Sequence, residues 1–465
     1  MCNVKYEMTS LDRIALAVIG ALIVMIGGVV VRGDRVGATV MVSAPSDGAA
    51  AVSTRSVVRL VFSEPMDVRT LEGRIAVRPE ISGMLRAAGS AIVWTPVRAL
   101  GPDTEYTVTM RAGGVSVRGR PMLRDHVLRF RTRRARVAYL APAQGVADLF
   151  LFDPDANEAR RVTSEPYGVH DYAIGPDGER VVIAVNRDDG GERDLWLVNL
   201  DGSARELLLR CDNQVCQTPS WSADGTRIAF ERRELVQRAI GKLPGPARVW
   251  LMDVATRASV PLVADSQRIG SLPMWSPTDD RLAFVDMNDS AITVIDTAAP
   301  ADPNSIVQLP SNLGDPGAWS PDGMQLIYPD ITPLEDRGYN QVLRADFARD
   351  VITTVFPIST VNDAAVAWAL SGERIAFSRQ EAGSRALIGA QIWTARPDGS
   401  DAQQLTRDYA FSHFEISWSP DERRIVAQRF ELAQPYAKPQ VWLVDVATGD
   451  GRALAEDAMQ PVWVP

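Results

Sequence analysis

The sequence predicts an all-β protein whose larger part is a seven-bladed β-propeller, with six blades as the alternative. Six copies of one motif follow one another between residues 172 and 427, at a spacing of 44 to 54 residues. Residues 39–133 alternate apolar and polar side chains in short runs, which is typical of an antiparallel β-sandwich. One apolar segment precedes both regions and predicts a single N-terminal transmembrane helix.

The apolar segment reaches from Ile14 to Val31 and contains no charged residue. Its 18 residues are just enough to cross a hydrocarbon core as a helix. A cleavable signal peptide is the alternative, but no close small-x-small site follows, so we expect an uncleaved anchor at 14–31 behind a short tail at 1–13. Basic residues flank the segment on both sides, so its orientation is not set by charge. We expect a single-pass protein of the cell membrane with the bulk of the chain extracytoplasmic.

The sandwich region, residues 38–133, contains four elements that resemble one known family. These elements are Pro45–Gly48, Phe62–Asp67, Leu100–Tyr106 and Phe130–Thr132, of which the second reads FSEPMD. They resemble the bacterial Ig-like domain of surface-layer (SbsA-type) and other secreted bacterial proteins. The resemblance implies a spacer or adhesion-type module without chemistry of its own.

The repeated motif has an apolar-Trp-Ser-Pro-Asp-Gly core followed by an Ile-Ala-Phe strand. Its copies are YAIGPDGERVVIA (172–184), PSWSADGTRIAF (219–230), PMWSPTDDRLAF (273–284), GAWSPDGMQLIY (317–328), VAWALSGERIAF (366–377) and ISWSPDERRIVA (416–427). A second alternating strand follows each copy, as in DLWLVN (194–199) and QVWLVD (440–445). Four short strands per repeat are typical of a propeller blade. We interpret the Trp residues as core between blades.

The two ends of the repeat region predict how the ring closes. Residues 136–142 and 148–153 are the later strands of a blade without an innermost strand, and residues 460–464 are an innermost strand with nothing after it. Joined, they complete a seventh blade and remove exposed sheet edges. Residues 135–465 therefore resemble the TolB-type, WD-like propeller family. The resemblance implies a fold without a specific function, because the family includes partner-binding periplasmic proteins and accessory propellers of peptidases.

Charge is distributed unevenly along the chain. Residues 34–134 hold 16 Arg and 9 Asp or Glu, a net charge of +7, whereas residues 135–465 hold 30 bases and 47 acids, a net charge of −17. An acidic main domain argues against nucleic acid as a partner. The basic segment is either a solvated surface or a contact to an anionic cell-surface polymer or lipid headgroups.

Few residues suited to metal or catalytic chemistry are present. With three Cys and three His, the sequence predicts no metal site and no cofactor. Cys211 and Cys216 form either a small disulfide loop or two free thiols. No G-x-S-x-G, P-loop, H-E-x-x-H or Rossmann pattern is found, so we expect no enzyme, and we interpret Asp153–Glu158 as a turn.

The long loops of the propeller are predicted to share one face, because alternate connections of a blade lie at the same end. Candidate binding residues in or beside these loops are Tyr167, His170, Asp171, Tyr409, His413, Phe414 and Glu415. Ordered loops on a rigid scaffold commonly carry recognition. We predict a membrane-anchored protein-interaction or surface scaffold that binds a protein or peptide partner, or a surface glycan, through this face. The alternative is a propeller that binds a glycan or small ligand, with lyase or hydrolase activity.

Overall fold

A computed structural model describes residues 18–27, 37–187, 191–239, 241–265, 267–300, 302–334, 337–381, 388–434 and 436–465. Residues 18–27 are helical and exposed. No helix within these ranges is long and apolar enough to cross a membrane. The predicted span at 14–31 lies partly outside the described residues, and the transmembrane helix is not confirmed.

The chain folds into two compact units. The first ends at Arg131, and the second holds Thr132–Pro465 together with the short segments Ser53–Ser56 and Arg98–Thr104. Apart from residues 18–27, nearly all of the described regular structure is β, with two 3-10 turns, η1 (Val68–Thr70) and η2 (Pro303–Ser305). The prediction of an all-β protein is confirmed.

The first unit is a sandwich of two four-stranded antiparallel sheets, ordered β1-β3-β6-β5 and β2-β8-β7-β4. The strands are β1 (Val40–Ala44), β2 (Ala49–Val52), β3 (Val58–Phe62), β4 (Ile75–Arg78), β5 (Gly83–Ala88), β6 (Ala91–Pro96), β7 (Glu105–Met110) and β8 (His126–Thr132). Alternate side chains point inward, so Leu60, Trp94 and Phe130 are buried while Arg59 and Arg129 face outward.

The second unit consists of short antiparallel strands in consecutive sets of four. The first twelve strands of the unit are β9 (Arg136–Ala141), β10 (Asp148–Asp153), β11 (Glu158–Arg161), β12 (Val169–Ile174), β13 (Arg180–Asn186), β14 (Arg193–Asn199), β15 (Arg205–Leu209), β16 (Gln214–Trp221), β17 (Arg227–Arg238), β18 (Gly241–Pro244), β19 (Arg248–Asp253) and β20 (Ser259–Pro261). The sets β12 to β15 and β16 to β20 are counted as one nine-stranded sheet because Arg193 of β14 bridges Val215 of β16.

Four further sheets follow with the same order of strands. Their strands are β21 (Gly270–Trp275), β22 (Arg281–Asp286), β23 (Ala291–Asp296), β24 (Ile306–Pro310), β25 (Ala318–Trp319), β26 (Gln325–Leu334), β27 (Arg337–Asp346), β28 (Val351–Thr354), β29 (Val361–Trp368), β30 (Ile375–Glu381), β31 (Gln391–Ala395), β32 (Gln403–Gln404), β33 (Phe411–Trp418), β34 (Arg424–Glu431), β35 (Gln440–Asp445) and β36 (Gly451–Glu456). One more strand, β37 (Met459–Val464), follows these four sheets in the chain. In each sheet, every strand pairs with its neighbour in sequence.

The last strand completes the sheet that opens the unit. β37 pairs antiparallel with β9, with Val462 opposite Ala138 and Trp463 opposite Val137. The sheet therefore runs β11-β10-β9-β37 and joins residues more than 300 positions apart in the chain. This pairing is the one that the terminal sequence motifs predict.

Apolar clusters join each sheet of this unit to the next. One cluster links β9 and β10 to β13 through Leu140, Leu149 and Ile183, and another links the same opening sheet to β34 and β35 through Tyr139 and Val426. Five further clusters connect the intermediate sheets in chain order. Because the opening sheet packs against both the second sheet and the last one, the packing of the described sheets is cyclic.

The motif tryptophans lie between sheets, as interpreted from the sequence. Trp221 is buried, donates its Nε1 hydrogen to the Ala173 carbonyl of the preceding sheet at 3.0 Å, and has the Arg180 guanidinium 5.5 Å from its ring centroid. Trp319 repeats this pattern with the Met274 carbonyl and Arg281. The Arg that closes the turn of one motif copy therefore covers the Trp of the next sheet in both cases, a cation–π contact.

Candidate functional site

The long loops of the propeller unit lie at one end of its sheets. In each sheet the first strand begins where the second strand ends, as the pairs Val169 with Val185 and Phe411 with Glu431 show. The loop entering the first strand and the turn leaving the second strand are therefore neighbours. We call this end the long-loop face.

Two hairpins extend this face beyond the sheets. β17 continues past its pairing with β19 and pairs with β18 from Leu235 opposite Pro244 to Arg238 opposite Gly241. β26 and β27 pair over their whole length, ending with Leu334 opposite Arg337. Both hairpins are continuous antiparallel ladders over the residues that the structure describes.

Asp171 lies at the start of β12 in a group of charged residues. Its Oδ2 accepts a hydrogen bond from the Thr218 backbone N–H at 2.7 Å, whereas Oδ1 is buried and has no hydrogen-bond partner among the described residues. Burial is the main reason that the pKa of Asp171 rises to about 6, with Glu231 raising it further and Arg193 opposing the rise. A buried oxygen atom without a hydrogen-bond partner is stabilised when a ligand supplies the missing donor.

The residues around Asp171 are already paired with one another. Arg193 donates to Asn186 Oδ1 at 3.0 Å and to the Gln217 side-chain oxygen, and Gln217 Nε2 donates to Glu231 Oε1 at 3.2 Å. Arg233 donates to the same buried Glu231 carboxylate. Because Arg193 has other partners, Asp171 is the member of this group with a free acceptor.

His170 immediately precedes Asp171 and sits at a β-bulge. The pairing of β12 with β13 shifts between Val169 and Asp171, which places His170 out of the ladder and exposed. Although His170 reaches solvent, desolvation by the protein atoms around it, together with the charge of Arg193, lowers its pKa to about 4. The ring is therefore neutral at physiological pH.

Glu415 lies in a bulge of β33, three residues before the motif Trp418. Its φ of +49° is unusual for a residue with a side chain, and the β33–β34 register shifts between Phe414 and Ser417. Glu415 retains contact with solvent, but the protein around it raises the pKa of its carboxyl, and the Gln460 backbone N–H opposes that rise. The Glu415 charge also acts on Tyr172, whose hydroxyl is hydrogen-bonded to the Ala138 carbonyl at 2.8 Å.

Tyr167 lies on the loop before β12 at the edge of an open groove. The groove has a volume of about 530 Å³ and is lined by Thr163, Ser164, Glu165, Pro166, Tyr167, Asn186, Arg187, Trp196 and Arg205, among others. Glu165 is buried and accepts two hydrogen bonds from Arg205, at 2.8 and 2.7 Å, while the Arg205 guanidinium stacks on Trp196. The groove is therefore walled by a fixed ion pair, and the Tyr167 ring remains exposed.

The residues predicted from the loop before β33 separate into exposed and buried positions. Tyr409 is exposed and accepts a hydrogen bond from Gln404 Nε2 at 3.0 Å, and Phe414 stacks on Phe430. His413 is fully buried, and its Nδ1 lies 3.0 Å from the Ala390 carbonyl. The placement of His413 on the binding surface is therefore wrong: β33 begins at Phe411, two residues before it, and this strand carries His413 into the interior.

A disulfide joins Cys211, in the loop that leads into β16, to Cys216 within that strand. Both residues are fully buried, and the Cys211 N–H donates to Asp194 Oδ1 at 2.7 Å. The disulfide holds the start of β16, the strand that carries Gln217 and Thr218. It therefore supports the part of the chain that contacts Asp171.

We expect the double substitution Cys211→Ala/Cys216→Ala to lower the free energy of unfolding by about 2 kcal/mol, because closing so short a loop removes only a modest entropy from the unfolded chain. Chemical unfolding with and without a thiol reductant checks this. The reductant should lower the stability of the wild-type protein and leave the double variant unchanged. Equal sensitivity of both proteins to reductant would contradict it.

No group of three or more His, Cys, Asp or Glu that could hold a metal ion is found in the described part of the chain. What the long-loop face offers chemically is a protonatable carboxylate with one free oxygen, a neutral imidazole beside it and exposed aromatic rings. Such a set can bind a hydrogen-bond donor or a cation.

Several residues of this site escaped sequence reasoning. Arg193, Thr218 and Glu231 come from β14, β16 and β17, and only the fold brings them to Asp171. One signal was available: the position after the Ile-Ala-Phe strand is acidic in the copy containing Glu231 and not in the other copies. A buried carboxylate is unfavourable unless a positive charge or hydrogen-bond donors pair with it, so an acid at this position predicts polar partners nearby.

The fold defines the protein as a β-propeller preceded by an Ig-like sandwich. Residues 34–132 match the family described as bacterial Ig-like domain, and residues 128–334 match the TolB beta propeller domain. The chain carries a bacterial Ig-like domain followed by a TolB-type propeller domain, and both resemblances drawn from the sequence are confirmed.

Individual relatives are distant. A dipeptidyl-peptidase 5 from Porphyromonas gingivalis is 40% identical over 70 residues, which are 14% of this chain and 10% of that protein. TolB from Acinetobacter baumannii has a TM-score of 0.43 at 15% identity and covers 84% of this chain and 83% of its own. An oligogalacturonate lyase from Vibrio parahaemolyticus has a TM-score of 0.49 at 13% identity. The match covers 63% of this chain and 82% of the lyase chain. These likenesses assign no function.

Proposed function

We propose that this protein is an extracytoplasmic interaction protein whose seven-bladed propeller binds a protein or peptide partner through the long-loop face. The observation that carries the proposal is the combination on one face of two projecting hairpins and the unpartnered Asp171 oxygen. A buried acceptor without a donor costs free energy in the isolated protein, and a partner that supplies the donor removes that cost.

The seven blades are part of this proposal. Four-strand sets, cyclic apolar packing and the pairing of β37 with β9 support a closed ring of seven. A closed ring has no long exposed edge, which leaves the loops as the surfaces available for recognition.

An extracytoplasmic location is supported by the disulfide between Cys211 and Cys216, because such bonds persist in oxidising compartments. The attachment of the chain to the cell membrane through residues 14–31 stays a prediction from the sequence. A fractionation experiment with an alkaline wash checks it, since an integral protein stays with the membrane and a released one does not.

A photo-crosslinking experiment tests the partner-binding face. A photoreactive phenylalanine derivative would replace the exposed Tyr409 on the long-loop face. Met324 is the matched control position, because it is exposed in the Asp-Gly turn between β25 and β26, at the end of the sheets opposite to the long-loop face. We expect a crosslinked partner of defined mass from cells carrying the Tyr409 derivative and none from the Met324 derivative. The crosslink should weaken when Asp171→Asn is added. Crosslinks of equal yield at both positions would sink the proposal.

The second candidate function is the binding of a glycan or small ligand, with lyase or hydrolase activity as its extension. The groove beside Tyr167 favours it, since about 530 Å³ is a volume that can enclose a small ligand. Thermal shift with a panel of cell-surface oligosaccharides checks it. A ligand seated in the groove should raise the Tm of the wild type and not that of Arg205→Gln, which loses the guanidinium lining the groove. A shift that survives in Arg205→Gln would place the ligand elsewhere.

A further inference from the structure

The sheet β1-β3-β6-β5 of the Ig-like domain has an outward face that is apolar and basic. Strand register places Ala44, Arg59, Val93 and Arg86 in one row across the four strands, Val42 beside Val61 in the next row, and Met84 beside Thr95. The inward side of the same strands carries buried residues such as Leu60 and Trp94. An outward sheet face is ordinarily polar, so this composition calls for a cause.

Large apolar side chains on this face are open to solvent. Met84 is 68% exposed and Val42 is 60% exposed. The four strands contain no Asp or Glu, although the domain region has nine. Exposed apolar side chains on a face without acids are typical of a surface that meets a partner rather than bulk water.

Two arginines lie on either side of Val93 in its row. Arg59 and Arg86 both lie opposite Val93, on the strands to either side of it, so their Cα atoms are about 10 Å apart, two strand spacings. Both side chains are exposed, and neither forms an ion pair with a described residue. Guanidinium groups bind phosphate oxygens with two parallel hydrogen bonds, and their aliphatic stems tolerate an apolar environment.

We infer that this face docks onto an anionic lipid surface, with Arg59 and Arg86 contacting headgroup phosphates and Val42, Val93 and Met84 entering the boundary of the acyl region. Charge complementarity supports this occupant, because residues 34–134 carry a net charge of +7 with Arg as the sole basic residue type. Apolar insertion and attraction to anionic lipid add to each other in interfacial binding.

The position of the domain in the chain favours a lipid surface over other occupants. Residue 37, where the described part of the domain begins, follows the apolar run ending at Val31 by six residues, a reach of about 20 Å. A second copy of this chain is less suitable, because a symmetric contact would place the same arginines against each other. Like charges in a desolvated contact oppose association.

A fluorescence experiment on the full chain tests the docking. Met84→Cys, in a Cys2→Ser background, would carry an environment-sensitive fluorophore on the proposed face, and Thr107→Cys would carry it on the outward face of the other sheet. The protein is mixed with vesicles of phosphatidylcholine alone or with added phosphatidylglycerol. We expect a blue shift for the Met84 label with anionic vesicles, and no shift for the Thr107 label.

Charge neutralisation supplies the matched control. Arg59→Gln/Arg86→Gln should lower the ratio of docked to free domain about thirtyfold, as removal of two surface contacts to anionic lipid predicts. Arg78→Gln/Arg129→Gln removes the same charge from the other sheet, where both residues lie opposite Thr107, and should change little.

Three results would overturn the inference. They are equal shifts with neutral and anionic vesicles, equal losses from the two arginine pairs, and a shift that appears without vesicles as protein concentration rises, which would indicate a second copy. The measurement does not depend on the propeller's partner, so it succeeds or fails independently of the proposed function.

Discussion

Trp463→Ala is expected to lower the free energy of unfolding by about 3 to 5 kcal/mol, the range for truncating a large buried aromatic side chain. Trp463 is 5% exposed, packs with Tyr139 and Leu443, and has the Arg424 guanidinium 5.4 Å from its ring. The substitution therefore loosens the contact of the closing strand with two sheets at once. Urea unfolding followed by far-UV circular dichroism measures the effect.

The neighbouring residue provides the control. Val462 is on the same strand but 40% exposed, so Val462→Ala should cost about 1 kcal/mol or less. If the two substitutions had the same effect, β37 would not be closing the propeller, and the seven-bladed reading would fail. A truncation that removes Met459–Pro465 should be more damaging than either, because it leaves β9 as an open edge.

Asp171→Asn is expected to stabilise the protein at pH 8 by about 3 kcal/mol. The folded-state pKa of Asp171 is about 6, against an ordinary pKa of 3.8 for an aspartate. Between these values the folded protein binds more protons than the unfolded chain, so the contribution of Asp171 to stability falls as pH rises through this window. Above pH 6 the charged carboxylate carries its full cost, and below about pH 4 that cost is absent.

The difference in unfolding free energy between Asp171→Asn and the wild type should therefore depend on pH. The difference in unfolding free energy should be largest at pH 8 and close to zero at pH 4. Asp398→Asn is the control, because hydrogen bonds from Ser400 lower the pKa of that turn carboxyl, and its substitution should not stabilise the protein at any of these pH values. A pH-independent effect of Asp171→Asn would show that burial does not perturb this group.

A stabilising substitution in a candidate site also has functional meaning. Residues kept for binding are often unfavourable for stability in the absence of the partner. If Asp171→Asn both raises stability and weakens the crosslink from Tyr409, the carboxylate serves recognition. If it raises stability and leaves the crosslink unchanged, the proposed role of Asp171 in partner binding is wrong.

Much of the fold followed from local patterns. The Asp-Gly turns recur as tight turns, as at Gly323 with a φ of +70°, and the Trp residues lie between sheets. Each of these features depends on a few consecutive residues, so the sequence displays it directly. The bulge that gives Glu415 a left-handed backbone recurs three residues before the Trp of other copies, as at Thr218, whereas the bulge that exposes His170 does not recur.

The candidate site was only partly predictable. His170 and Asp171 were nominated from their place before an innermost strand, and the structure puts both at the long-loop face. His413 was nominated by the same argument but is fully buried. The two histidines differ because β33 starts two residues before His413, whereas β12 starts one residue before His170 and bulges there. Where a strand begins, and where it bulges, depends on its pairing with the next strand, which sequence reasoning does not resolve.

By itself the sequence determined the repeat, the sandwich before it and the pairing of the two ends, because hydrophobic periodicity and turn residues are local properties that persist in the folded chain. Only the tertiary structure decided which polar groups share a site. Asp171 meets Arg193, Thr218 and Glu231 across up to 60 residues of chain, and an unpartnered oxygen exists only once all neighbouring donors have been assigned. The same holds for the apolar and basic face of the Ig-like domain, whose rows are formed by strand register.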